Sequence, residues 1–167
     1  MKKTILLFAV FAFTLTASAQ TKDVVDIAIS SKDHTTLVAA VTAADLVTTL
    51  KGKGPFTVFA PTNTAFGNLP KGTVENLLKP EQKKALAGIL TYHVVAGNLD
   101  ATAVVAAIKE GKGKAVLTTV NGEKLTASLD GKKVILTDAK GGKATVTATD
   151  LKGSNGVIHV IDAVLLP

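Results

Sequence analysis

Asn155-Gly156-Val157-Ile158-His159-Val160-Ile161-Asp162-Ala163-Val164-Leu165-Leu166-Pro167 is the stretch whose reading decides the fold. It opens on a turn dipeptide and then runs almost wholly apolar, interrupted only by His159 and Asp162. A run this short, rich in β-branched residues, reads as one or two buried strands. Peptide so apolar cannot trail in water, so it must enter a core assembled from the residues before it.

The amino terminus has a different character. Lys2 and Lys3 precede an apolar run from Ile5 to Leu15, and Ala17-Ser18-Ala19 follows as an A-x-A cleavage site. The run is shorter than the ~20 residues a membrane-spanning helix needs. Residues 1–19 therefore read as a secretory signal cut after Ala19, and no later run is long enough to span a bilayer. Residues 20–167 suit one domain with a single core. The product is expected to be secreted or periplasmic. There are no cysteines, so burial has to supply the stability without disulfides.

All nineteen basic side chains are Lys. Without Lys2 and Lys3, seventeen Lys stand against thirteen Asp and Glu, a balance of +4. A nucleic-acid reader calls for Arg forks and aromatic stacking platforms. This chain has no Arg, no Trp and one Tyr, which argues against a nucleic-acid partner. The scattered lysines read as a solvated surface with weak attraction for anionic glycans or cell surfaces.

Along the chain, DVVDIAISS from Asp23 carries a helical apolar face, with Thr21 or Asp23 placed to cap it. Asp33 is the expected cap of a second amphipathic helix through Leu37, Val41 and Leu46, with His34 exposed in its first turn. KGKGP ends this helical part, and Phe56 to Ala60 alternates as a strand that halts at Pro61. Thr62 or Asn63 caps a helical turn, Thr73 caps VENLL, and Pro80 opens a helix whose apolar face is Leu86, Ile89 and Leu90. Thr91 to Val95 reads as a strand, and Asp100 or Thr102 starts a helix closed by Gly111. From Ala115 the pattern is β throughout, with turns at Asn121-Gly122, Asp130-Gly131 and Gly141-Gly142. A helix-rich half followed by a β meander gives an α+β architecture in one piece.

Three blocks in register resemble the fasciclin (FAS1) domain family. The first comprises Phe56, Thr57, Val58, Phe59, Ala60, Pro61, Thr62, Asn63 and Phe66, which looks like the first signature of that family. The second is Tyr92-His93, which resembles its tyrosine–histidine motif. The third comprises Asn155, Gly156, Val157, Ile158, His159, Ile161 and Asp162, which looks like its second signature. The resemblance implies a β-wedge of two sheets with several packed helices. It also implies an extracellular or surface-attached module of cell adhesion that binds matrix, cell-surface protein or polysaccharide, without catalysis and without a cofactor. In animal members an Asp-Ile dipeptide ahead of the second signature, and the tyrosine–histidine segment, are tied to integrin binding. Asp150-Leu151 stands at the first place and Tyr92-His93 at the second. What carries over is a surface patch of Tyr92, His93, Asp150 and Leu151.

Chemistry is otherwise sparse. His93 and His159 on adjacent strands would be a metal pair, but no third ligand has a recognisable spacing. Both read as hydrogen-bonded core histidines, and Asp162 as an acceptor of backbone donors. No serine lies in G-x-S-x-G. Ser154, read as lying near His159, keeps open a small-ligand or weakly hydrolytic pocket, and self-association into a matrix or biofilm is a further alternative.

Overall fold

The computed structural model describes residues 22–167. The signal segment, its cleavage after Ala19, and Thr21 as a cap lie outside the described residues. Asp23 caps α1 (Val24–Ser30), its carboxylate accepting the Asp26 N–H at 2.8 Å. A 3-10 turn, Lys32–His34, leads into α2 (Thr35–Ala43), and α3 (Val47–Leu50) follows. After β1 (Phe56–Pro61) come α4 (Asn63–Gly67), α5 (Thr73–Leu77) and α6 (Lys83–Tyr92). Then β2 (Val94–Ala96) and α7 (Ala101–Glu110) precede the meander of β3 (Lys114–Thr118), β4 (Lys124–Asp130), β5 (Lys133–Thr137) and β6 (Lys143–Gly153). The last element is β7 (Gly156–Ile161).

Among the described residues, seven strands run in the order β2-β1-β7-β6-β5-β4-β3. β7 lies parallel to β1, from Phe56 opposite Gly156 to Pro61 opposite Ile161, and antiparallel to β6. β6 is shared: Lys143 to Thr145 pair with β5, and Val146 onward pairs with β7 through two register shifts. It therefore joins two sheets, β2-β1-β7-β6 and β6-β5-β4-β3, into a wedge. A bridge between Val95 and Thr119 ties the far ends together.

Burial follows from that topology. β1 and β7 are covered on both faces, which is why their residues are nearly all apolar, with Thr57 and His159 the buried polar exceptions. Between the sheets, Phe59, Ile161 and Leu165 meet Val104 and Ile108 of α7 and the inward residues Leu117, Leu125 and Leu136. On the other face, Val58, Ala60 and Ile158 pack against Val25, Leu37, Val41, Leu86 and Leu90 of the helices. Each large aliphatic buried this way contributes about 1.5–3 kcal/mol.

Several expectations are corrected. Thr91, Tyr92 and His93 are not strand: Tyr92 ends α6, His93 is its C-cap, and the strand begins at Val94. The apolar periodicity of Leu86 and Leu90 extends the helix to Tyr92 and overrides the β-propensity of the segment. His34 is buried at 4% exposure, turned inward by the 3-10 turn, with Nδ1 2.8 Å from Ser31 Oγ. Asp33 does not cap α2, and Gly72, in a left-handed conformation, rather than Thr73 occupies the cap of α5. Beyond Ile161 the chain leaves the sheet, yet Leu165 is fully buried.

Candidate functional site

Thr57 of β1, fully buried, donates from Oγ1 to the Gly97 carbonyl at 2.7 Å and accepts the Leu99 N–H at 2.8 Å. His159 of β7 contacts the Leu99 carbonyl through Nε2 at 2.7 Å. A carbonyl only accepts, so the proton sits on Nε2 and Nδ1 is left to accept the Asp150 N–H, at 3.5 Å. The ring stacks on Phe59 with centroids 5.7 Å apart. Two strands thus grip both polar groups of the Leu99 backbone and fix the chain entering α7.

Asp150 completes the clamp from β6. It sits at φ 61, in the register shift between Ala148 and Leu151, a left-handed conformation that Asp tolerates better than most residues. Its Oδ1 accepts the Ala101 N–H at 2.8 Å, while Asp100 caps the same helix through the Ala103 N–H at 2.8 Å. Leu151, the next residue, stands 40% exposed, and Lys152 beside it is exposed.

Tyr92 and His93 belong to the interior instead. Tyr92 is fully buried; its hydroxyl donates to the Lys124 carbonyl at 3.0 Å and accepts the Ala139 N–H at 3.2 Å. Burial pushes this phenol above its ordinary value. His93, 2% exposed, donates from Nδ1 to the Ile89 carbonyl at 2.8 Å and accepts the Leu165 N–H on Nε2 at 3.0 Å. Burial lowers its pKa to about 4. The expected four-residue surface patch therefore divides. Tyr92 and His93 share no hydrogen-bond partner with Asp150, and neither ring reaches the surface. A helix end tucked under the wedge cannot present them.

The other signature residues tie elements together. Thr62 caps α4 through the Ala65 N–H at 3.2 Å, and Phe66 joins the helical core. Asn63 reaches across to the start of α2: Oδ1 accepts the Thr36 N–H at 2.9 Å, and Nδ2 donates to the Lys32 carbonyl at 2.9 Å. This supplies the cap expected from Asp33. Asn155 donates from Nδ2 to Leu50 O at 2.7 Å and Gly52 O at 3.0 Å, and accepts the Val24 N–H at 3.0 Å. Gly156 is required by close approach, since a Cβ there would lie 2.1 Å from the Phe56 carbonyl oxygen. Asp162 accepts the Thr145 N–H at 2.6 Å. Sequence reasoning missed the reach of Asn63 and Asn155 because a cap contributed from a distant element leaves no local pattern.

His93 and His159 do not lie on adjacent strands, and both nitrogens of each ring face backbone groups. Among the described residues no group of three or more His, Cys, Asp or Glu is placed to hold a metal ion. An apolar cavity under α1 and α2 offers about 50 Å³, against roughly 300–1,000 Å³ for ordinary ligand sites. A cleft of about 590 Å³ lies open between Lys51, Lys53, Asn98, Lys152 and Ser154. Lys51 is held there by Asp23 at 3.0 Å and Asp26 at 2.6 Å, and the hydrogen bond from Lys51 holds the Asp26 carboxyl below its ordinary value. Ser154 sits in the β6–β7 turn, its N–H bound to the Lys22 carbonyl at 2.9 Å. His159, its expected neighbour in chemistry, is committed to Leu99. Among the described residues no helix is long and apolar enough to cross a membrane.

A family model described as Fasciclin domain matches residues 32–167. Protein sll1483 of Synechocystis sp. is 50% identical over 159 residues, covering 95% of this chain and 80% of that protein. Immunogenic protein MPB70 of Mycobacterium bovis is 36% identical over 152 residues, covering 87% of this chain and 70% of that protein. Among solved structures, a FAS1 domain pair from the insect cell adhesion molecule Fasciclin I aligns with a TM-score of 0.58 at 23% identity, covering 75% of this chain and 42% of that one.

Proposed function

The chain belongs to the fasciclin domain family, and from that premise we propose that it is a secreted or periplasmic binding module, exported by residues 1–19. The mature chain, residues 20–167, acts as one fasciclin domain. It recognises an extracellular protein or polysaccharide by contact and carries out no chemical step. The observation that supports this reading is the presentation of Leu151: an apolar side chain, 40% exposed, beside a bulge where Asp150 directs its N–H to His159 Nδ1 at 3.5 Å and holds the Ala101 N–H with its carboxylate at 2.8 Å. A site held this rigidly loses little ordering entropy on binding. The open cleft at Lys53 and Lys152 adjoins it and supplies a polar rim. Cell adhesion is the role named for the insect relative of the same fold, and it is brought to this chain as part of the proposal.

The test is attachment of the mature protein to native envelope or matrix, measured with Leu151→Ser and Lys152→Ala. Both side chains are exposed, so stability should change by no more than about 0.5 kcal/mol. Attachment weakened in both variants supports the reading. Attachment equal to that of the parent in both contradicts it.

A further inference from the structure

We propose that the outward face of β3, β4, β5 and the start of β6 is a second binding surface, for a carboxylate-bearing polysaccharide. It is independent of the Leu151 surface.

The register defines the face. Ala115, Leu117, Leu125, Ala127, Val134, Leu136 and Ala144 point inward to the core, where α7 packs against them. The alternate residues point out and form ordered rows. One row runs Val116, Thr126, Thr137, Lys143, and the next runs Lys114, Ser128, Ile135, Thr145. Lys124, paired with Thr118, and Lys133, paired with Asp130, lie beyond these rows on opposite sides. Strands lie about 4.8 Å apart, so each row of four spans about 14 Å. A hydroxyl-rich centre is thus framed by Lys114, Lys124, Lys133 and Lys143, all exposed, against two outward carboxylates, Asp130 at one margin and Asp162 beside Thr145. The three ion pairs among the described residues fall on Lys51 and Lys83, so these four ammonium groups are not neutralised by any of them.

The chemistry of the face selects the partner. Protein hot spots favour Trp, Tyr and Arg, and membrane surfaces favour Trp, Phe or Leu anchors beside the basic residues. Nucleic-acid sites use aromatic platforms and Arg forks. None of these residue types stands among the outward positions. Hydroxyls and point-charge ammonium groups on an open sheet face instead match a chain that bears hydroxyls and carboxylates along its length. Charge complementarity of this kind raises affinity at low salt and is screened as salt rises.

Binding of the mature protein is measured against polygalacturonate, with dextran, poly-aspartate and phosphatidylglycerol vesicles as comparison arms. The expected result is salt-sensitive binding to polygalacturonate that exceeds the other three. The combined variant K114Q, K124Q, K133Q, K143Q should lose about tenfold or more in affinity. The variant K32Q, K71Q, K79Q, K84Q, which removes the same charge from the helical side, should stay within about threefold. Replacing the four face lysines by Arg should retain binding, and melting curves establish that each variant is folded. If the combined Gln variant melts early, Lys114→Gln and Lys143→Gln alone take its place, each expected to weaken binding measurably. Equal losses in the two fourfold variants would overturn the proposal, as would absent polygalacturonate binding or equal binding to poly-aspartate or vesicles.

Discussion

His93 Nε2 accepts the backbone N–H of Leu165 at 3.0 Å, joining the end of α6 to the carboxy-terminal peptide across 72 residues of chain. The next N–H of that peptide, on Leu166, donates to the Asp138 carboxylate just after β5 at 3.0 Å. The tail beyond β7 is therefore fastened from two sides while Leu165 fills the space between the sheets. These contacts make the terminal peptide part of the core.

Leu165→Ala should destabilise the protein by about 2–5 kcal/mol, the range for truncating a fully buried leucine. Removal of residues 163–167 should cost more and broaden the thermal transition. Denaturant melts of both variants check this.

Tyr92→Phe should lower stability by about 1–3 kcal/mol, because the hydroxyl's two hydrogen bonds, to the Lys124 carbonyl and from the Ala139 N–H, are both lost. The same variant should leave partner attachment unchanged once folded. Equilibrium unfolding and an attachment assay on one preparation separate the two effects.

Asn63→Ala should cost about 1–2 kcal/mol, since it removes the cap of α2 and the contact with Lys32 together. Hydrogen exchange should show the loss first at the start of α2, at Thr36. Asp33→Ala, at the residue the sequence marks as the cap, should change little.

Much of this was legible in the chain. Asn155 to Pro167 reads as one or two buried strands and holds one, Gly156–Ile161, while Phe56 to Ala60 reads as a strand halting at Pro61 and the strand runs through Pro61. The turns at Asn121-Gly122, Asp130-Gly131 and Gly141-Gly142 join strands that alternate in and out in the expected way. The Tyr92-His93 segment misled because a helix end entering a strand has the residue types of both. The division of the expected patch had no local signal either. Whether Tyr92 faces water depends on Lys124 and Ala139, which are distant in sequence. Asp150-Leu151 was identifiable as a position, yet its left-handed bulge was not, since the register shift arises from β6 serving two sheets.

Acid should weaken the fold through His93. Its pKa falls from an ordinary value of 6.5 to about 4 because burial disfavours the cation, which would also lose the Leu165 hydrogen bond. Between these values the unfolded chain holds a proton that the folded chain does not, so stability is complete above about pH 6.5 and declines toward pH 4, by about 3 kcal/mol. Burial lowers His34 in the same direction. The difference in slope between the parent and His93→Leu isolates the contribution of His93.

The tyrosine–histidine segment is architecture and not a contact surface, and an NMR titration of the His93 ring tests that directly. The expected spectrum is that of one neutral tautomer, protonated at Nδ1, with shifts that stay constant from pH 8 to about pH 5. A ring that titrates near 6.5 while the protein remains folded would place His93 in water and contradict it.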